Sequence, residues 1–160
     1  MQTALRAIEF LSLSVWLGSD VFLSFVVAPG AFTVLSSRDQ AGALVGYSLT
    51  SMHLLGILCG LVILASRLLR MRTFASFAAP ASMCVALMML LTTISQIFVT
   101  PRMAELRARM GSIEATAADS PLLAAFGRLH LVSVALESGV LLAGIGAIYL
   151  MVREIGRAHV

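Results

Sequence analysis

Residues 74–99, FASFAAPASMCVALMMLLTTISQIFV, contain no charged side chain. A segment of about 20 mainly apolar residues is long enough to cross the roughly 30 Å hydrocarbon core of a bilayer as an α-helix. Backbone N–H and C=O groups find no water inside lipid, and a chain with so few apolar segments can satisfy them only within helices. The stretch therefore predicts a transmembrane helix.

Three further stretches meet the same requirement, and the predicted spans are 7–28, 43–66, 74–99 and 126–152. The composition agrees, because 59% of the 160 residues are hydrophobic and 12% are charged, whereas about 25% are charged in soluble domains. We expect an all-α polytopic membrane protein, a four-transmembrane-helix bundle that forms a single domain over 1–160. The first span is too long for a cleaved signal peptide, so we expect it to remain.

The third connection is the only extended one, and its first part, residues 101–110, is amphipathic. Pro101 suits the first position of a helix, and apolar residues follow it at helical spacing. We expect a short interfacial amphipathic helix in this third loop, with Pro101, Arg102 and Arg128 at the membrane interface.

The charges predict the orientation of the spans. All eleven basic residues are arginines, and with eight acidic residues they give a formal net charge of +3. They are spread along the chain, which argues against a nucleic-acid-binding face. Their densest group is 67–72, and cytoplasmic loops carry an excess of basic residues. We therefore expect both termini in the cytoplasm and the protein in a membrane, the bacterial inner membrane being the simplest assignment.

The second span carries two pairs of glycines, Gly42 with Gly46 and Gly56 with Gly60. Small residues four positions apart let helices approach closely where no hydrophobic effect drives them together. The pattern favours packing within the chain. A homo-oligomer, or a partner in a larger membrane complex, contacting the glycine faces of the second span is the alternative.

Several polar residues fall inside the predicted spans. An ionisable residue in a membrane is costly and usually faces the bundle interior, a partner or a water-filled cavity. Counting 1.5 Å per residue from the helix ends that face the third loop places Asp20, His53 and Glu137 near the middle of the bilayer. Gln96 and His130 lie nearer the surface on stripes of the third and fourth spans. These five residues are candidate ligand-binding or ion-binding residues.

Three kinds of chemistry are open at this centre. In the structural interpretation, His53 pairs with a carboxylate and fixes the register of the helices. In the functional interpretation, the acids and the imidazole bind or pass a small cation, a proton or a polar solute. In the third, His53 and Glu137 hold a transition metal, or His53 and His130 bind haem, although the two histidines differ in depth by more than about 10 Å. No cofactor is the first expectation.

No nucleophile elbow, phosphate-binding loop, zinc-protease motif or dinucleotide fingerprint occurs in the sequence. A role other than catalysis is therefore favoured. A non-catalytic accessory subunit of a larger membrane complex is the alternative function. His159, in the tail, is expected to have no role.

Several short motifs occur in a recognisable order. They are Trp16-Leu-Gly-Ser-Asp-Val-Phe22-x-x-Phe25-Val-Val-Ala-Pro29, then Phe32, Leu35-x-x-Arg38 and Gly42, then His53, Pro101-Arg102 and Phe126-x-Arg128-x-His130-x-x-Ser133. This order resembles the transmembrane protein 205-like family, small four-helix membrane proteins without an established molecular activity. The resemblance implies a polar bundle interior. A more distant likeness to four-helix bacterial membrane proteins of copper resistance and haem biosynthesis implies a metal or a haem.

One residue and one six-residue stretch depart from that family pattern. Glu137 stands where the pattern has Asn, seven residues after the histidine of the fourth span, and Tyr47-Ser-Leu-Thr-Ser-Met replaces an aromatic-Pro-aromatic stretch. Glu137 would add a charge or an exchangeable proton to a site that is otherwise neutral.

Overall fold

The computed structural model describes residues 1–157, and that part of the chain contains no strand. Its four long helices are α1 (Gln2–Val34), α2 (Arg38–Met71), α3 (Pro80–Met110) and α4 (Pro121–Arg157). All four are long and apolar enough to cross a membrane. The prediction of an all-α polytopic bundle is confirmed, and His159 lies outside the described residues.

The helices form an up-and-down bundle. Each packs against the next along the chain, and α4 also contacts α1. We call the end that holds Gln2, Arg157 and the α2–α3 connection the terminal end. There Gln2 donates a hydrogen bond to the carbonyl oxygen of Arg70 at 3.3 Å. The other end, with the α1–α2 connection and the 111–120 loop, is the loop end. There the carboxylate of Asp39 accepts hydrogen bonds from Ser112 and Ile113.

Most helices extend beyond the predicted spans. Residues 67–71 belong to α2, because the arginines among them are paired with acids inside the bundle and need not leave the helix. The helix stops at Arg72, which adopts a left-handed conformation with φ 54°. The third span starts later than predicted, since Phe74–Ala78 form a 3-10 turn and the helix begins at Pro80.

Two helices contain a π turn that ends two residues before a proline. Leu23–Val27 and Ser95–Val99 are π turns, and Pro29 and Pro101 each follow after one more residue. Proline lacks an N–H and its ring clashes with the carbonyl four residues earlier, and a π turn accommodates this because it holds an extra residue. Consequently α1 continues past Pro29, and the helix expected separately at 101–110 is the continuation of α3.

Apolar side chains occupy both the interior and the outer surface of the bundle. The interior core includes Trp16, Ile63, Val85, Met88 and Val140, all fully buried. The outer surface exposes large aliphatic side chains from every helix, among them Leu11, Leu54, Leu61, Leu87, Leu131 and Leu142. Such a surface is unfavourable in water but matches acyl chains. The outer faces therefore contact the lipid bilayer, which places the protein in a membrane.

The two glycine pairs of α2 are covered by side chains of the same chain. A Cβ on Gly56 would overlap the indole of Trp16, and one on Gly60 would lie 2.6 Å from Cγ of Met89. At the loop end, Gly42 and Gly46 lie under the guanidinium of Arg107. A second copy or another subunit would therefore have to contact a different surface.

Candidate functional site

A histidine held from both sides lies at the centre of the bundle. His53 of α2 is fully buried. Its Nδ1 lies 2.9 Å from Oε1 of Gln96 on α3, and its Nε2 lies 2.8 Å from Oε1 of Glu137 on α4. With Nδ1 donating to the amide oxygen, the proton between Nε2 and Glu137 can reside on either group. The imidazole thus joins three helices through one hydrogen-bonded line.

Glu137 accepts a second hydrogen bond and still has unused capacity. Its Oε1 also accepts from the hydroxyl of Ser95 at 3.2 Å. Its Oε2 is buried, and no group among the described residues donates to it. A buried carboxylate oxygen without a donor is costly. Oε1 of Glu137 is therefore hydrogen-bonded, whereas Oε2 can still accept a hydrogen bond.

Asp20 supplies a second half-satisfied carboxyl group from α1. It is fully buried, and its Oδ1 accepts from the hydroxyl of Ser24 at a long 3.4 Å. Its Oδ2 is buried with no donor among residues 1–157. Asp20 lies within electrostatic range of both Glu137 and His53. All four helices thus contribute a polar side chain to one cluster, which we call the central cluster: Asp20, Ser24, His53, Ser95, Gln96 and Glu137. Four of its members are buried, whereas Gln96 is half-buried and Ser24 is exposed.

The π turns explain how the central cluster obtains its neutral members. Ser24 lies on the π turn of α1, and Ser95 and Gln96 are adjacent on the π turn of α3. In a regular α-helix, neighbouring residues point in clearly different directions. The wider turn of α3 lets both Ser95 and Gln96 reach polar groups of other helices. The prolines that follow these turns are therefore the sequence features that shape the site.

Polar atoms without partners also occur in the wall around the central cluster. Trp16, one turn before Asp20, is fully buried, and its indole N–H has no acceptor among the described residues. The hydroxyl of Thr92 on α3 is likewise buried and unpaired within that part of the chain. Natural structures leave few such groups. Along their helices, Trp16 and Thr92 lie one turn before Asp20 and Gln96 of the central cluster.

The structure places the remaining candidate residues away from this cluster. His130 of α4 is exposed, as are Pro101, Arg102 and Arg128. Since His130 points outward, it cannot share a haem with the buried His53. Both ring nitrogens of His53 are already occupied by protein partners. No group of three or more His, Cys, Asp or Glu side chains within residues 1–157 is arranged to hold a metal ion. The geometry thus gives no support to the haem and metal interpretations.

A second buried charged cluster lies at the terminal end and was not identified from the sequence. The guanidinium of Arg67 is fully buried and contacts Glu9 at 3.5 Å and Glu154 at 2.8 Å. Arg70 lies 2.9 Å from Glu9. Arg67 also donates to the hydroxyl of Ser82 on α3 at 2.6 Å. We call Glu9, Arg67, Arg70 and Glu154 the terminal clamp, which links all four helices.

The sequence contained a weak signal for the terminal clamp. Glu9 falls inside the first apolar span, where an acid needs a partner. Arg67 and Arg70 are three residues apart and so share one helix face. The apolar run ends near Arg67, however, and for this reason the sequence pattern placed both arginines in a loop.

Comparison with known proteins identifies a family but no activity. Residues 11–112 match the family model described as Domain of unknown function (DUF4149). The match covers α1 from its third turn, all of α2 and all of α3, and it stops before α4, which carries Glu137. No curated protein and no solved structure matches the chain.

Proposed function

The chain belongs to the family of the domain of unknown function DUF4149, and we propose that its central cluster binds a proton, or a small cation in its place, and passes it through the membrane bundle. The observation that supports this proposal is the pair of half-satisfied carboxyl groups. Asp20 and Glu137 come from different helices, and each keeps one buried oxygen without a donor among the described residues.

The charges in the central cluster do not balance by themselves. If both acids are ionised and His53 is protonated, one negative charge is left over. An unpaired charge inside a low-dielectric bundle is strongly unfavourable. A proton on Asp20 removes that charge, and so does a small cation between the two free oxygens. The cluster thus accommodates one more positive charge than its side chains provide.

His53 suits a step in which that proton moves. Its Nε2 shares a proton with Glu137, while the amide of Gln96 fixes the orientation of the ring. Imidazole is the side chain whose protonation changes most easily near neutral pH. Asp20 lies within electrostatic range of Glu137, and their helices α1 and α4 contact each other, so we propose that a proton moves between these two acids. Acid and histidine groups of this kind are typical of proton relays in membranes.

Infrared difference spectroscopy tests the bound proton directly. We expect the purified full-length protein at neutral pH to show the C=O stretching band of a protonated carboxylic acid. Asp20→Asn removes this band, whereas Asp119→Asn, an exposed acid in the 111–120 loop, leaves it unchanged. A band that weakens when Na⁺ or K⁺ is added would identify a cation that replaces the proton. A band that survives both Asp20→Asn and Glu137→Gln would overturn the proposal.

Transport is tested in vesicles. We expect vesicles that contain the protein and a pH-sensitive dye to change internal pH faster than empty vesicles when a membrane potential is applied. Glu137→Gln and Asp20→Asn should both abolish the difference, while Asp119→Asn should retain it. If the variants and the unaltered protein behave alike, the central cluster does not pass protons.

We also propose a finer family and a location. The resemblance to the transmembrane protein 205-like family rests on the order of motifs from Trp16 to Ser133. A bacterial inner membrane with cytoplasmic termini is supported by the arginines at the terminal end. Thr73→Cys and Ala117→Cys place a thiol at opposite ends of the bundle. In intact cells, a membrane-impermeant thiol reagent should label Ala117→Cys and not Thr73→Cys, and the reverse result would invert the orientation.

A further inference from the structure

An arginine at the loop end packs against two neighbouring helices and forms no ion pair among the described residues. Arg107 lies near the end of α3, and its guanidinium extends over α2. A Cβ built on Gly42 would lie 3.3 Å from Nη2 of Arg107, and one built on Gly46 would lie 3.4 Å from Nη1. The ring of Phe126 on α4 lies 5.7 Å from Cζ. The guanidinium therefore packs directly on the face of α2 that carries these two glycines.

The guanidinium of Arg107 has no partner within residues 1–157. Its Nε is buried and makes no hydrogen bond there, and none of the ion pairs in that part of the chain includes Arg107. Asp39 lies close enough to interact electrostatically, but its two oxygens accept from Ser112 at 2.6 Å and from the backbone N–H of Ile113 at 2.7 Å. Asp39 thus attracts Arg107 through its charge, but it accepts its hydrogen bonds from the loop and none from the guanidinium.

The position of Arg107 along α3 matches the depth of lipid headgroups. The helix has 31 residues and is therefore about 46 Å long, against roughly 30 Å of hydrocarbon. All charged residues of α3 lie between positions 102 and 110. These last turns therefore extend beyond the acyl chains, into the layer that contains phosphate groups.

From these observations we infer that Arg107, seated on Gly42 and Gly46, is a binding site for a phosphate group at the loop end of the bundle. A guanidinium is always charged and carries five N–H donors in a planar fork that matches phosphate oxygens in pairs. A half-buried guanidinium without an acceptor is unfavourable, and a bound anion removes that cost. The phosphate can belong to an anionic phospholipid or be free in solution. This site does not depend on the chemistry of the central cluster.

Thermal unfolding of the purified, delipidated full-length protein in a neutral detergent tests the site. The variant is Arg107→Gln, and the matched control is Arg109→Gln, which removes an exposed charge from the same turns of α3. We expect saturating phosphatidylglycerol to raise the Tm of the unaltered protein and of Arg109→Gln by about 5 °C. Arg107→Gln should show no such rise. Phosphatidylcholine, whose phosphate is neutralised by choline, should have a smaller effect on all three proteins.

A second arm identifies the source of the phosphate. Inorganic phosphate replaces chloride at equal ionic strength, without lipid. If it produces the same rise, and the rise again disappears only in Arg107→Gln, the site takes free phosphate. If only phosphatidylglycerol is effective, the site takes a lipid headgroup. Equal responses of Arg107→Gln and Arg109→Gln, or no rise in the unaltered protein with either compound, would overturn the inference.

A second variant keeps the test decisive if Arg107→Gln does not fold. Arg107→Lys retains the charge but loses the planar fork. We expect its half-maximal stabilisation to need about tenfold more of the effective compound than the unaltered protein needs. If Arg107→Lys matches the unaltered protein, simple charge attraction explains the effect and the built site is excluded.

Discussion

The terminal clamp and the central cluster both place charged residues in the interior of the bundle, but they differ in how completely their atoms are paired. The clamp contains two acids and two arginines, so its charges cancel. Arg67 donates to Ser82, Glu9 and Glu154, and Arg70 donates to both oxygens of Glu9. The central cluster contains two acids and one imidazole, and two of its carboxylate oxygens lack donors among the described residues.

This difference leads us to expect different roles for the two groups. A buried ion network with cancelled charges and satisfied hydrogen bonds holds helices in register and is difficult to change one residue at a time. The central cluster has more acids than basic groups, and two of its carboxylate oxygens are free of donors within the described part of the chain. We therefore expect the terminal clamp to secure the bundle, and the central cluster is where we propose that a proton or a cation binds.

The largest expected effect is on the terminal clamp. Arg67→Ala removes a fully buried guanidinium and leaves Arg70 as the one arginine of the clamp that faces Glu9 and Glu154. Removing one partner of a buried ion pair costs about 3–5 kcal/mol, so we expect most of the protein to be lost from the folded, monodisperse fraction in size-exclusion chromatography. Arg153→Ala, an exposed arginine near the same end of α4, should behave like the unaltered protein. If Arg67→Ala lost no more of its folded fraction than Arg153→Ala, the clamp would add no stability.

A second effect concerns the packing of α1 on α2, beside the central cluster. Gly56→Ala places a Cβ inside the contact with the Trp16 indole, and overpacking of this kind costs roughly 1–3 kcal/mol. Gly18→Ala has open space around its Cβ and should stabilise the helix by about 0.5–1 kcal/mol. Thermal unfolding followed by circular dichroism should give melting temperatures that move in opposite directions, and a fall in both would contradict the close contact.

A smaller effect on stability is expected within the central cluster. Asp20→Asn keeps the shape of the side chain and removes the ionisable group. We expect a change in unfolding free energy of less than about 1 kcal/mol, either stabilising or neutral, because no buried ion pair is broken. Proton binding should be lost at the same time. If Asp20→Asn were as destabilising as Arg67→Ala, the two clusters would have the same structural role.

The smallest effect is expected at the loop end, where Asp39 fastens the 111–120 loop. Asp39→Ala removes the acceptors for Ser112 and Ile113. We expect faster hydrogen exchange and proteolysis within 111–120 and an unchanged melting temperature for the bundle. Asp119→Ala, an exposed acid of the same loop, serves as the control. A large fall in melting temperature would show that the loop contributes to the stability of the whole fold.

Much of the bundle followed from periodicity and hydropathy, because these report directly on burial and lipid contact. The predicted positions of the helix ends were less accurate. Arg67 and Arg70 looked like loop residues because the apolar run ends near them, yet acids on α1 and α4 keep them inside the bundle. The predicted first span stopped at residue 28, before Pro29, yet a π turn carries α1 past this proline. In both cases contacts or local geometry outweighed the usual preference of the residue type.

The central cluster was only partly foreseeable. Asp20, His53, Gln96 and Glu137 stood out because polar groups in apolar spans need a reason to be there. Ser95 did not, since a serine next to Gln96 on a regular helix would point elsewhere, and only the π turn before Pro101 directs it to Glu137. His130 shared a stripe with Glu137 on an ideal helical face, but its side chain is exposed.

Segment length and apolar composition were enough to predict that this chain crosses a membrane four times as helices, because lipid offers the backbone no other way to satisfy its hydrogen bonds. The same information identified the side chains that are too polar for lipid. The packed bundle was needed to learn which of these polar groups meet, because pairing depends on the rotation of each helix and on the prolines that alter it. At the terminal clamp two acids meet two arginines and the charges cancel, whereas the central cluster joins two acids to one imidazole and is the site that we propose.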